Sequence, residues 1–266
     1  VGYNALTINT TGNSNTANGN GALASNTTGS VNTAIGANAL TANTTANYIT
    51  AIGANALMSN TTGIGNTAVG TGAMEKNTTG WGNTVMGWNA LVENTTGISN
   101  VALGVNSMFA NTTGSTNTAI GNSTLRYNTT GESNTATGEG ALYNNTTGGT
   151  NTANGVNALN SNTEGGNNVA IGYSAGRKNT SGAGNVFIGN EAGNNDNYQT
   201  SSNKLVVANS DTETPLIEGD FSDATLKVNG SLTVTGSMYM SFASTITSNT
   251  TFNGTETIIP VNTSSN

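Results

Sequence analysis

A strict period of 17 residues runs from Asn9 to Gly193. At Asn26 to Ala42 the unit reads Asn-Thr-Thr-Gly-Ser-Val-Asn-Thr-Ala-Ile-Gly-Ala-Asn-Ala-Leu-Thr-Ala. Its opening Asn occurs eleven times, from Asn9 to Asn179. The Gly ten residues later also occurs eleven times, from Gly19 to Gly189, with no insertion or deletion. Such a chain has no distant segments to fold onto one another. Each unit must bury its apolar residues against the next, which requires a stacked or wound architecture.

The unit does not read as helix. Two Gly and several β-branched or Asn residues per 17 are weak helix formers. Asn-Thr-Thr-Gly reads as a turn, because Gly accepts positive φ and Asn bonds its own backbone. Asn-Thr-Ala-Ile is a short β-branched run, Gly36 turns the chain, and Ala39-Leu40 reads as a second short extended piece. Two short strands and two turns describe one coil of a β-solenoid or β-roll. Eleven coils at ~4.8 Å each span roughly 50 Å.

Neighbouring residues in a strand face opposite sides. Ala34-Ile35, Ala51-Ile52, Ala68-Val69, Val85-Met86, Ala102-Leu103, Ala119-Ile120, Ala170-Ile171 and Phe187-Ile188 are apolar on both. One side can line the coil interior, and the other needs a second dry surface, such as another chain. The packing set is therefore Ile35, Leu40, Ile52, Leu57, Val69, Leu91, Leu103, Ile120, Leu125, Ile171 and Ile188. Asn18, Thr137 and Asn154 interrupt the Ile stripe, as points of weaker packing or as buried polar rings at a symmetry axis.

Composition narrows the function. The chain of 266 residues has no Cys and no His, which removes disulfides, thiol nucleophiles and the commonest metal ligands. Charged residues are 7% and the net charge is −7, with no basic stripe for nucleic acid or anionic lipid. No apolar run reaches the ~20 residues of a spanning helix. We therefore expect no nucleic-acid partner and no membrane insertion. Gly2 and Ala5-Leu6 sit 17 before Gly19 and Ala22-Leu23, so the chain opens inside a repeat and reads as a fragment, a processed product or the ordered part of a longer protein.

The third unit departs from the pattern with Ala46 and Tyr48-Ile49, and the last two replace Leu by Gly176 and Gly193, as capping units do. Beyond Gly193 the period stops. Strands are predicted at Lys204 to Ala208, Pro215 to Glu218, Thr225 to Val228 and Ser231 to Thr235, with an Asn229-Gly230 hairpin between the last two. Further short extended pieces fall at Met238 to Phe242, Thr251-Phe252 and Thr257 to Val261.

Asn-Thr-Ala-Ile-Gly-x-x-Ala-Leu resembles the head repeats of trimeric autotransporter adhesins of the YadA type and related repeats in phage tail fibres. The tail, from Asn203-Lys-Leu-Val-Val through Thr214-Pro-Leu-Ile-Glu-Gly-Asp-Phe221 to Gly236, resembles regions of phage tail-fibre-like proteins. The resemblance implies a parallel β-roll with three chains per shaft, followed in tail fibres by a chaperone that trimerises the fibre and cuts itself off. The 17-residue period is longer than the commonest head repeats, and the sequence up to Asn266 holds no chaperone, which reads as one that has been removed or as the point where the likeness ends.

The expected fold is all-β: a β-solenoid of eleven coils in residues 1–193, homotrimeric, followed by a short β-rich segment in residues 194–266. The expected role is a structural tail-fibre shaft presenting a receptor-binding tip, outside the cell or on a virion. A surface adhesin or self-assembling extracellular filament is the alternative. The chain's partner is itself, with a host receptor or glycan at the tip. No enzyme activity, metal or cofactor is expected. Repeated Asp is lacking for Ca²⁺, and Glu132 and Glu139 make no convincing acid pair. The Asn-x-Thr sites follow from the turn consensus. Among the aromatics Trp81, Trp88, Tyr127, Tyr143 and Tyr173, the pair Trp81 and Trp88 in one unit is the best candidate for a surface contact, since exposed aromatics stack sugars.

Overall fold

The computed structural model describes residues 2–235. It is an all-β solenoid with one three-residue strand per coil. These are β1 (Thr16–Asn18), β2 (Thr33–Ile35), β3 (Thr50–Ile52), β4 (Thr67–Val69), β5 (Thr84–Met86), β6 (Val101–Leu103), β7 (Thr118–Ile120), β8 (Thr135–Thr137), β9 (Thr152–Asn154), β10 (Val169–Ile171) and β11 (Val186–Ile188). Each pairs in parallel with the next in a constant register, Ala34 opposite Ala51 and Ala51 opposite Ala68. The sheet continues through β12 (Lys204–Val207), which is still parallel, into the antiparallel β13 (Ile217–Asp220) and β14 (Thr225–Val228). The break at Gly193 is thus a break in the repeat and not in the sheet, and one compact unit spans Val1–Asn229.

The second strand expected at Ala39-Leu40 does not form. Leu40 has a φ of 55°, and the equivalent Leu23, Leu57, Met74, Leu91, Met108, Leu125, Leu142 and Leu159 are likewise left-handed. A residue in that region cannot extend a strand, and it costs roughly 1–2 kcal/mol. The bend turns each side chain into the core, where all of these are fully buried. Coil-to-coil bonding persists without a strand, since Leu40 N–H donates to Ala56 O at 3.0 Å and Leu57 N–H to Ala73 O at 3.0 Å.

The interior is narrow. Its apolar part is the strand-centre Ala (Ala34, Ala51, Ala68) with the Ala-Leu pair (Ala39-Leu40, Ala56-Leu57). Its polar part is two columns of Asn. The opening Asn of each unit is fully buried from Asn26 to Asn179. Asn111 Nδ2 donates to Asn94 Oδ1 at 2.9 Å and to Gly114 O at 3.0 Å, and Asn128 Nδ2 donates back to Asn111 Oδ1 at 2.8 Å. The column runs unbroken from Asn9 to Asn162, whose own Oδ1 has no partner. The second column is the Asn before each strand. Asn117 Oδ1 accepts the backbone N–H of Asn134 at 2.9 Å, and Asn100 Nδ2 donates to Gly114 O at 2.9 Å. From Gly80 to Gly182 each turn Gly carbonyl thus takes one amide donor from each column, which satisfies these buried acceptors. The Asn of every Asn-Thr-Thr turn from Asn26 on is sealed inside.

The third unit strains this arrangement. Ala46 stands where Gly is the rule, and the contact of Asn60 Nδ2 with Asn43 Oδ1 lengthens to 3.4 Å. Ile49 replaces the second-column Asn and is buried, while Tyr48 is exposed.

Beyond β12 one expectation fails. Asn229-Gly230 is not a hairpin, and Ser231 to Val234 is not strand. β14 instead turns back on β13 through a turn in which Ala224 has a φ of 53°. The Asn229 side chain donates to Pro215 O at 2.7 Å and its N–H to Leu216 O at 2.9 Å, so it closes the end of β14. The pieces expected at Met238 to Phe242, Thr251-Phe252 and Thr257 to Val261 lie outside the described residues.

Candidate functional site

Alternation on so short a strand sets one residue in and two out. The central Ala points inward, and its neighbours form two outward rows. One row is mainly Thr (Thr33, Thr50, Thr67, Thr84, Thr118), and the other is Ile35, Ile52, Val69, Met86, Leu103, Ile120, Ile171 and Ile188. The expected packing set therefore divides. Leu40, Leu57, Leu91 and Leu125 fill the coil interior. Ile35, Ile52, Ile120, Ile171 and Ile188 are 36–44% exposed, and Val69 and Leu103 are half-buried on the same face. Asn18, Thr137 and Asn154 take this outward position as well and are exposed, so within the chain they are not buried polar rings. The buried polar residues are the two Asn columns instead.

Trp81 precedes β5 and Trp88 follows it, and both are about half exposed. They mark the two ends of one strand and do not form a single cluster. Trp88 lies next to exposed Met86, and Trp81 occupies the turn position filled by Ile64 and Ile98 in the adjoining coils.

The end of the unit carries a different chemistry. The two residues after the Leu position of the unit, which Met74, Leu125 and Gly176 occupy in these coils, include all four cations of the repeat region: Lys76, Arg126, Arg177 and Lys178. Lys76 pairs with Glu93 of the next coil at 2.7 Å, and Lys178 with Asp196 at 3.1 Å. The Arg126 guanidinium lies 5.8 Å from the Phe109 ring centroid, 5.6 Å from that of Tyr127 and 5.9 Å from that of Tyr143. Tyr127 and Tyr143 meet edge to face at 5.2 Å. The Tyr143 hydroxyl is held above its usual pKa, chiefly by its hydrogen bond with Tyr127. Sequence reading counted these tyrosines but missed their cluster, because its members lie 17 residues apart at the most variable place in the unit. The confinement of the cations to that place was the available signal.

Near the end of the sheet, Tyr198 is buried and stacks edge to face on Phe187 at 5.8 Å. Its hydroxyl donates to Glu218 Oε1 at 3.0 Å. Burial first, and then Glu218, push its pKa far up. Lys204 pairs with Asp220. Hydrogen bonds from Lys204 and then Ser222 hold the Asp220 carboxyl far below the ordinary carboxylate range. These contacts tie β12, β13 and the 3-10 turn Asp196–Tyr198 together.

Glu132 lies in a turn before β8 and Glu139 follows that strand, both exposed. Among the described residues no group of three His, Cys, Asp or Glu is placed to hold a metal ion. None of their helices is long and apolar enough to cross a membrane. Compared with family models, curated proteins and solved structures, the chain matches none. The β-solenoid itself is compatible with a fibrous structural protein.

Proposed function

We propose that the chain is the shaft of a homotrimeric tail-fibre-like appendage, carried on a virion or outside a cell, that presents a receptor-binding tip. The observation that carries this reading is the outward row of Ile, Val, Leu and Met along the sheet. A row of large apolar side chains repeated at ~4.8 Å on a regular face is a surface to be covered. Three copies turning this face toward a common axis would bury it at about 25 cal/mol per Å². The likeness of the repeats and of the Asn203 to Gly236 segment to tail-fibre sequences supports the same reading. Growth of a filament by coil addition is less well supported at the distal side, where the sheet turns antiparallel at β13.

Light scattering on the purified chain tests the proposal. The expected mass is near three times 26.6 kDa. A folded chain at the monomer mass would sink it, and a polydisperse, far larger mass would favour the filament.

A further inference from the structure

We propose that the shaft carries a lateral binding site for a neutral sugar ring, between the coils of Glu139 and Asn160. A shallow cavity of about 260 Å³ opens there, lined by Asn122, Ser123, Glu139, Gly140, Tyr143, Asn144, Asn157 and Asn160. It is built from three features. The first is a missing side chain. Gly140 occupies a left-handed position (φ 64°) that Asn38, Asn55, Asn89, Asn106 and Asn157 fill in other coils, and a Cβ there would lie 2.7 Å from Asn157 Oδ1.

The second is a fixed aromatic wall. Tyr143 is held by Tyr127 at 5.2 Å and by Arg126, whose guanidinium lies over its ring. The third is a set of oriented polar groups. Asn160 Nδ2 is spent on Gly140 O at 2.9 Å, and Asn144 Nδ2 on Asn160 O at 3.1 Å, which leaves their amide oxygens free to accept. Among the described residues the Glu139 carboxylate and the Asn122 amide have no side-chain partner.

An apolar ring face beside carboxylate and amide acceptors suits a pyranose, with its C–H face on Tyr143 and its hydroxyls toward Glu139 and the Asn side chains. The Glu139 charge and the net charge of −7 work against an acidic sugar. The site runs from the residues that follow β7 and β8 to the end of the unit and uses no side chain of the Ile row, so the proposal does not rest on that row being covered.

The test is saturation-transfer NMR on the full chain with methyl glycosides of glucose, galactose, N-acetylglucosamine and glucuronic acid. At least one neutral glycoside is expected to receive saturation from the wild-type chain. Tyr143→Ala should weaken it about tenfold, the worth of one aromatic contact. Gly140→Asn should abolish it by filling the cavity with the residue other coils carry, so that an unchanged circular dichroism spectrum shows the coil intact. Trp81→Ala, at the turn before β5 and at a unit position that lines no part of the cavity, should leave it unchanged. No transfer to any neutral glycoside, preference for the glucuronide, or binding unaltered in both site variants would overturn the proposal.

Discussion

At the scale of single residues, the Asn columns do what a larger core does elsewhere. A coil whose strand centre is Ala offers little apolar area, so the buried amides supply continuity and fix the register. Replacing Asn111 by Ala would strand Asn94 Oδ1, the second acceptance of Gly114 O and one donor of Asn128. Each buried orphan costs roughly 1–3 kcal/mol. Asn111→Ala is therefore expected to lower stability by about 2–4 kcal/mol in urea denaturation. Asn20→Ala, at an exposed position off the Ile row that the next coil fills with Ala37, should change it by less than about 0.5 kcal/mol. Equal effects would mean that the columns carry no special load. This was not legible in the sequence. Asn before Thr-Thr-Gly has the chemistry of an exposed turn, and only stacking at a constant 17 turns a polar turn residue into an interior one. Nor does Leu announce a positive φ. Its side chain favours burial, and here burial wins over the backbone preference.

At the scale of elements, Phe187 explains a substitution that reads as drift. In the regular unit an interior Ala faces a Leu, whereas in the last coils Phe187 faces Gly176 and Gly193. A Cβ at either Gly would overlap the Phe187 ring. The volume has moved from one place in the unit to another. Gly193→Leu alone should overpack this layer by about 1–3 kcal/mol, and Phe187→Ala alone should cost about 3–5 kcal/mol. The double variant restores the regular unit and is expected to melt above either single one. A double variant no better than both singles would refute the compensation. The paired β12–β13–β14 strands should respond to acid. The folded Asp220 carboxyl lies below its unfolded value of about 3.9, so its contribution is present above that value and is lost as pH falls below it toward the lower folded value. Hydrogen exchange at Phe221 N–H, which bonds Asn203 O at 2.7 Å, should accelerate relative to the coil amides between about pH 5 and pH 2.5. β14 itself was legible, with its bounds, from the alternation of Thr225 to Val228. Its partner was not, because Asn229-Gly230 carries a hairpin signal that the Asn229 bond to Pro215 overrides.

At the scale of the whole molecule, the coil count, the stacking of one coil on the next and the end of the period at Gly193 all followed from the repeat. The direction of each apolar row did not, since Ala and Ile are both apolar and alternation alone cannot say which is inside. Size favours the smaller residue inside: where a large one, Phe187, takes the inward position, Gly176 and Gly193 stand against its ring. Because the Ile row lies outside the coil, charge can be placed there without touching the interior. Ile120→Lys with Ile171→Lys is expected to leave the circular dichroism unchanged while the mass by light scattering falls from trimer to monomer. A trimer that survives both substitutions would place the contact on another face. The constant register has a consequence for how such a gene can change. Since each coil meets only its two neighbours through the same set of bonds, a whole 17-codon block can be lost or duplicated in the middle of the array, and every remaining junction is one the fold already contains. Shaft length then becomes a quantity that recombination can adjust in steps of ~4.8 Å. The exception is the stretch from Gly176 to Gly193, where Phe187 and its two glycines must be inherited together.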